Sequence, residues 1–113
     1  MEFAIINIGL SLVIGIIFIL SAVILEKYPP TDINAVFGYR TRRSMKNIDL
    51  WNAGNKYSAE IMKKNGYYVI VIGSVISLLF KSPFTMFAIV VLMIGLIIYM
   101  IIKVEKKLKV LEE

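Results

Sequence analysis

The side chains able to do chemistry in this 113-residue chain are few and mostly of one kind. Arg40, Arg42 and Arg43 stand close together in the stretch Asn34 to Asn55, NAVFGYRTRRSMKNIDLWNAGN, a polar and positively charged insertion in an otherwise apolar sequence. A guanidinium presents a rigid fork of donors that matches phosphate or carboxylate oxygens in pairs, so the chemistry on offer is recognition of an anion. For Arg42 and Arg43 a plainer reading suffices, that of basic residues beside anionic headgroups. Trp51 and Asn55 lie one helical turn apart further along. On general grounds the tryptophan reads as an interfacial anchor and the asparagine as a polar helix position. Together with Arg40 they form the candidate recognition site.

Catalysis has little to work with. The chain has no histidine and no cysteine, which removes the commonest general base and metal ligand and all thiol chemistry. Its eight carboxylates lie outside the apolar runs, with no paired spacing that suggests an acid–base dyad or a metal cage. Glu26 reads as a helix-end charge and Asp32 as a turn former. No phosphate-cradling glycine loop and no ionisable residue inside an apolar run is present. A non-enzymatic protein without cofactor or metal is expected, and transport by this chain alone is not.

The elements that must position the site are helices. The chain is 58% hydrophobic, with a mean hydropathy of +0.77, above the apolar usage of soluble domains. Phe3 to Leu25 is a run of 23 uncharged residues that would span roughly 34 Å as a helix, enough to cross a bilayer. It reads as a retained span, since Glu2 replaces the basic start of a signal peptide and no small-residue cleavage site follows. Pro29 and Pro30 stop that helix, and Thr31 to Phe37 reads as irregular chain. Gly38 supplies a tight turn or a positive φ.

Asn47 is a helix N-cap and Asp49 a favourable first-turn carboxylate. Leu50, Ala53, Tyr57 and Ile61 then form one apolar stripe, while Asn52, Lys56, Glu60 and Lys64 recur on another face. The pattern predicts an amphipathic helix at headgroup level. Gly66 to Phe80 offers only 15 uncharged residues, roughly 22 Å, so this amphipathic helix is expected to run into it and complete a second span. Lys81, Ser82 and Pro83 make a short turn, and Phe84 to Ile102 supplies a third span. The small residues Ser11 and Gly15, and Gly73 and Ser77, sit four apart, which lets the first two spans approach closely.

The fold class is therefore an all-α membrane protein, a single domain over 1–113. Its spans are placed at about 3–25, 61–80 and 84–102, with a loop over 26–60 and a charged tail over 103–113. The tail reads as a stop and solubilising end. Of the 13 basic residues, eight fall between Glu26 and Lys64, in the loop and at the start of the second span, four in the tail and one in the second turn. That distribution puts the loop and tail in the cytoplasm and the N-terminus outside. It assigns the charge to anionic lipid rather than to direct contact with nucleic acid.

Asn34, then Gly38-Tyr39-Arg40-Thr41, Ser44, Trp51 and Asn55, after a proline-rich juxtamembrane start and before two more spans, resembles the SdpI family of bacterial toxin-immunity membrane proteins. The resemblance implies a multi-pass protein of the bacterial plasma membrane that protects its cell from a membrane-active peptide toxin. It further implies a signalling role, in which a small transcriptional repressor is held at the membrane. The partner-binding residues it points to are Asn34, Gly38, Tyr39, Arg40, Thr41, Trp51 and Asn55. The expected physical counterpart is an Arg40 oriented by the glycine turn and packed near Trp51 and Asn55, a rigid cytoplasmic site for a partner or an anionic lipid group. Two other readings of the residues stay open. One is a small anionic-lipid-binding or transporter-accessory protein, and the other is a subunit that docks through its small-residue faces.

Overall fold

The computed structural model describes residues 2–81 and 83–112. Three α-helices account for most of them: α1 (Glu2–Lys27), α2 (Ile48–Leu79) and α3 (Phe84–Glu112). Ser82 of the expected turn and Glu113 at the end of the tail lie outside the described residues.

Local sequence sets the boundaries. After Lys27 the Pro29-Pro30 pair cannot continue the helix, and the Tyr28 amide makes the last i→i−4 bond, to the Ile24 carbonyl at 2.8 Å. Asn47 is the N-cap of α2, its side chain accepting from the Leu50 amide at 2.9 Å, and Asp49 sits in the first turn. From there α2 runs unbroken for 32 residues, through Gly66, and reaches about 48 Å. The amphipathic segment and the short apolar run are thus one helix. Leu50, Ala53, Tyr57 and Ile61 pack towards Met100, Val104 and Leu108 of α3.

Contacts fix the topology. Ser11, Gly15 and Ile19 of α1 meet Gly73, Ile70 and Gly66 of α2, so ascending residues on one helix face descending residues on the other. A Cβ built on Gly66 would come within 2.8 Å of the Gly15 carbonyl, a closeness that only small residues permit. α2 meets α3 in the same antiparallel sense, with Gly73 near Ile89, the Asn65 amide donating to the Leu96 carbonyl at 3.0 Å, and Gly54 near Leu108. α2 is therefore the central helix, and α1 barely touches α3.

Outward-facing Ile5, Val13, Ile17, Val71, Phe87 and Val91 are all more than half exposed and belong to a wide apolar surface. That surface suits lipid and far exceeds what a soluble monomer tolerates. Among the described residues two helices are long and apolar enough to cross a membrane, Ala4–Lys27 and Phe84–Glu112. At the loop end the character changes. Tyr39, Leu50, Met100, Val104 and Leu108 make a compact core there, carried beyond the apolar band by α2 and by the last turns of α3.

Candidate functional site

The loop between α1 and α2 is folded onto the bundle end by three knots. In the first, the Asn34 carboxamide shapes the approach, its oxygen accepting from the Val36 and Phe37 amides at 2.9 and 2.7 Å and its nitrogen donating to the Asp32 carbonyl at 3.0 Å. This is an Asx turn. Asn34 therefore sets the path of the chain.

The second knot is buried. Gly38 has a φ of +117°, a region closed to most L-residues, and a Cβ there would come within 2.9 Å of both the Asn55 carboxamide oxygen and the Trp51 ring. The turn delivers the Tyr39 amide to Asn55 Oδ1 at 2.7 Å. Trp51 is fully buried beneath it and donates Nε1–H to the Pro30 carbonyl at 3.0 Å. The tryptophan is thus a clamp between the loop and α2, not an exposed interfacial anchor. Asn55 is also buried, and its Nδ2 finds no partner among the described residues.

The third knot reaches α3. Glu105 Oε2 accepts from the Tyr39 hydroxyl at 2.7 Å and the Thr41 hydroxyl at 2.9 Å, and Oε1 accepts from Arg43 Nη1 at 3.2 Å. Ser44 closes the turn, its hydroxyl accepting from the Thr41 amide at 2.8 Å and facing the Tyr39 carbonyl at 2.9 Å. Farther out, Glu112 accepts from Arg43 at 3.0 Å and from Lys46 at 2.9 Å. Burial, reinforced by the neighbouring Glu105 carboxylate, pushes the Tyr39 phenol well above its usual range. The Lys46 hydrogen bond draws the Glu112 carboxyl below its usual value.

These contacts redistribute the roles read from sequence. Gly38, Tyr39, Trp51 and Asn55 come together, and Thr41 joins them through Ser44 and Glu105. Arg40 lines a cavity to which neither Trp51 nor Asn55 contributes. It is exposed, with no ion pair or hydrogen bond among the described residues. Arg43, which topology alone seemed to explain, is the arginine engaged by carboxylates. The tail is more than a solubilising end, because Glu105 and Glu112 hold the loop. No sequence signal singled out Glu105 among the surrounding lysines. In hindsight the i+4 series Met100, Val104 and Leu108 shows that α3 stays packed past Ile102.

Two cavities of about 410 Å³ each flank the fixed loop. One lies under the Gly38 to Thr41 turn, between α1, α2 and α3, with Leu25, Met62 and Met100 in its wall and Arg40 at its edge. The other is lined by Glu26, Pro29, Asn52, Asn55, Lys56 and Glu60. Among the described residues no group of three His, Cys, Asp or Glu side chains gathers to hold a metal.

Residues 31–103 match the SdpI/YfhL protein family, a stretch that begins just before the Asn34 turn and ends in α3. The uncharacterized protein YfhL of Bacillus subtilis (strain 168) is 38% identical over 101 residues, covering 89% of this chain and 87% of the relative. No solved structure matches the chain.

Proposed function

The chain belongs to the SdpI/YfhL protein family, an immunity-type family, and on that premise we propose that it is a non-enzymatic integral membrane protein protecting its cell from a membrane-active peptide toxin. In this reading the fixed loop is the part that engages a partner, and signalling would follow from holding that partner at the membrane. The observation that carries it is the convergence of Gly38, Tyr39, Trp51 and Asn55, the residues of the family resemblance, into one buried node that presents Arg40 to the outside. A surface held this firmly on rigid helices suits recognition.

The same reading gives three crossings. α1 and α3 run parallel with α2 antiparallel between them, so if α1 and α3 both cross, the chain must return through α2. The Arg43–Glu105 contact keeps the basic loop and the tail at one end, consistent with both in the cytoplasm and the N-terminus outside.

The test is survival of a toxin-sensitive bacterial host. Expression of this chain should protect, and Arg40→Ala and Trp51→Ala should abolish protection while the protein still accumulates in the membrane. Full protection by both variants would remove the loop from the function.

A further inference from the structure

The cavity beneath the Gly38 to Thr41 turn has a composition that selects a ligand. Its wall is apolar, with Leu25, Phe37, Met62, Met100 and Ile101 contributed by α1, the loop, α2 and α3. Of the polar side chains that border it, three are engaged. The Tyr39 and Thr41 hydroxyls donate to Glu105, and the Ser58 hydroxyl donates to the Asn55 carbonyl of its own helix at 3.2 Å. Arg40 is the charged side chain at this cavity, and its guanidinium has no carboxylate among the described residues, whereas Arg43, Lys46 and Lys63 each pair with at least one.

We propose that this cavity binds one anionic phospholipid, with an acyl chain along the apolar wall and the headgroup phosphate on Arg40. Three observations point to lipid rather than to another anion or a peptide. First, the cavity lies where α1 and α3 separate, and Ser21 and Ile101 on its rim are exposed on the bundle's outer surface, so it is open from the side. Second, Leu25 is the last apolar residue of α1 before Glu26, Lys27 and Tyr28, which places the mouth at headgroup depth. Third, a helix about 10 Å across fills roughly 420 Å³ per 5.4 Å turn, so the cavity of about 410 Å³ holds no more than one turn of a helical peptide. An acyl chain is thinner, conforms to an irregular cavity and can continue out through the open side. A free phosphate would satisfy Arg40 but leave the apolar wall without purpose.

The site does not depend on toxin protection, and its test is made on purified protein, so either idea can fail alone. Full-length protein in mild detergent is titrated with phosphatidylglycerol or phosphatidylcholine and followed by native mass spectrometry. One phosphatidylglycerol per chain should be retained in preference to phosphatidylcholine. Arg40→Ala should weaken retention about tenfold, in keeping with loss of a charge-assisted phosphate contact. Met62→Trp, which fills the cavity and leaves Arg40 in place, should also displace the lipid. Arg42→Ala, removing an exposed arginine two residues away, should change nothing. Equal losses from Arg40→Ala and Arg42→Ala would reduce the effect to a diffuse basic belt and overturn the proposal. So would full retention in Met62→Trp, displacement of the lipid by inorganic phosphate, or a copurifying peptide in its place.

Discussion

Replacing Glu105 by alanine tests whether α3 holds the loop in place. In the structure this carboxylate accepts from two hydroxyls, at 2.7 and 2.9 Å, and from Arg43 at 3.2 Å, and its side chain is 25% exposed. Hydrogen bonds to a charged group contribute about 1.5–3 kcal/mol each, and partial exposure argues for the lower bound, so the two hydroxyls amount to about 3 kcal/mol. The Arg43 contact is a surface pair, a kind that often contributes nothing measurable, so the two hydroxyls set the magnitude. Truncation should therefore raise the population of an opened loop by about two powers of ten, since each 1.4 kcal/mol is a factor of ten. Hydrogen exchange reads this directly, because the Thr41 and Ser44 amides donate to the Ser44 and Thr41 side chains within the turn and the Tyr39 amide donates to Asn55 of α2. Their protection should fall by about a hundredfold while amides at the Gly15–Gly66 contact keep theirs, as expected of a local opening. Glu105→Gln, which keeps an acceptor oxygen, should cost about 1 kcal/mol, the worth of an ordinary hydrogen bond. Protection at Tyr39 and Thr41 within about twofold of wild type in the alanine variant would refute the argument. Equal acceleration at Gly66 would do the same, since it would mean that Glu105 supports the whole bundle.

Two further outcomes follow from the same contacts. The absence of cysteine makes single introduced cysteines clean reporters of side: a membrane-impermeant thiol reagent applied to intact cells should label Lys81→Cys and spare Lys56→Cys and Lys109→Cys, and the reverse pattern would invert the topology. The Tyr39 phenol titrates above its ordinary value of 10.0, so its contribution is complete below about pH 10 and is lost as pH rises from there through the folded value. Loop protection in wild type should accordingly decline with alkalinity from about pH 10, and Tyr39→Phe should start lower and lose that slope; parallel curves for the two proteins would contradict it.

Much of this arrangement could be read from residue types and spacing alone. The cap at Asn47, the apolar stripe from Leu50 to Ile61 and the Pro29-Pro30 stop each follow from local rules, and the structure carries all three. Of the small pairs, Ser11 meets Gly73 as the spacing allows, while Gly15 meets Gly66, a glycine outside those pairs. What could not be read was which partner each loop residue would find. Glu105 lies 64 positions from Thr41 and 66 from Tyr39, and nothing local distinguishes it from any other charge in a lysine-rich tail. Trp51 looked like an interfacial ring because that is where tryptophans of membrane proteins usually lie, and only the tertiary fold turns it under Gly38. Arg43 finds its carboxylates for the same reason. The three-residue step between Arg40 and Arg43 puts one on the cavity edge and the other against the carboxylates of α3.

With three spans in lipid, as proposed above, the two halves of the bundle are held by different forces, and this explains why the loop has to be tied to α3. Within a lipid environment apolar side chains gain nothing by leaving lipid for one another, so helices associate through close backbone approach and scattered hydrogen bonds. α1 and α2 have that approach at Gly15 and Gly66; α3 has the Asn65–Leu96 bond and little contact with α1. Past the apolar band water returns, and burying Leu50, Val104 and Leu108 becomes favourable at about 25 cal/mol per Å² of apolar surface. The loop end is thus where α3 can be secured, by a soluble-type core with the Glu105 carboxylate set over it. Tyr39 belongs to both devices, its ring in the core and its hydroxyl on Glu105, and its amide is held by Asn55 of α2. The position of the Gly38 turn, and with it Arg40, is consequently set by α2 and α3 together rather than by the loop's own preferences.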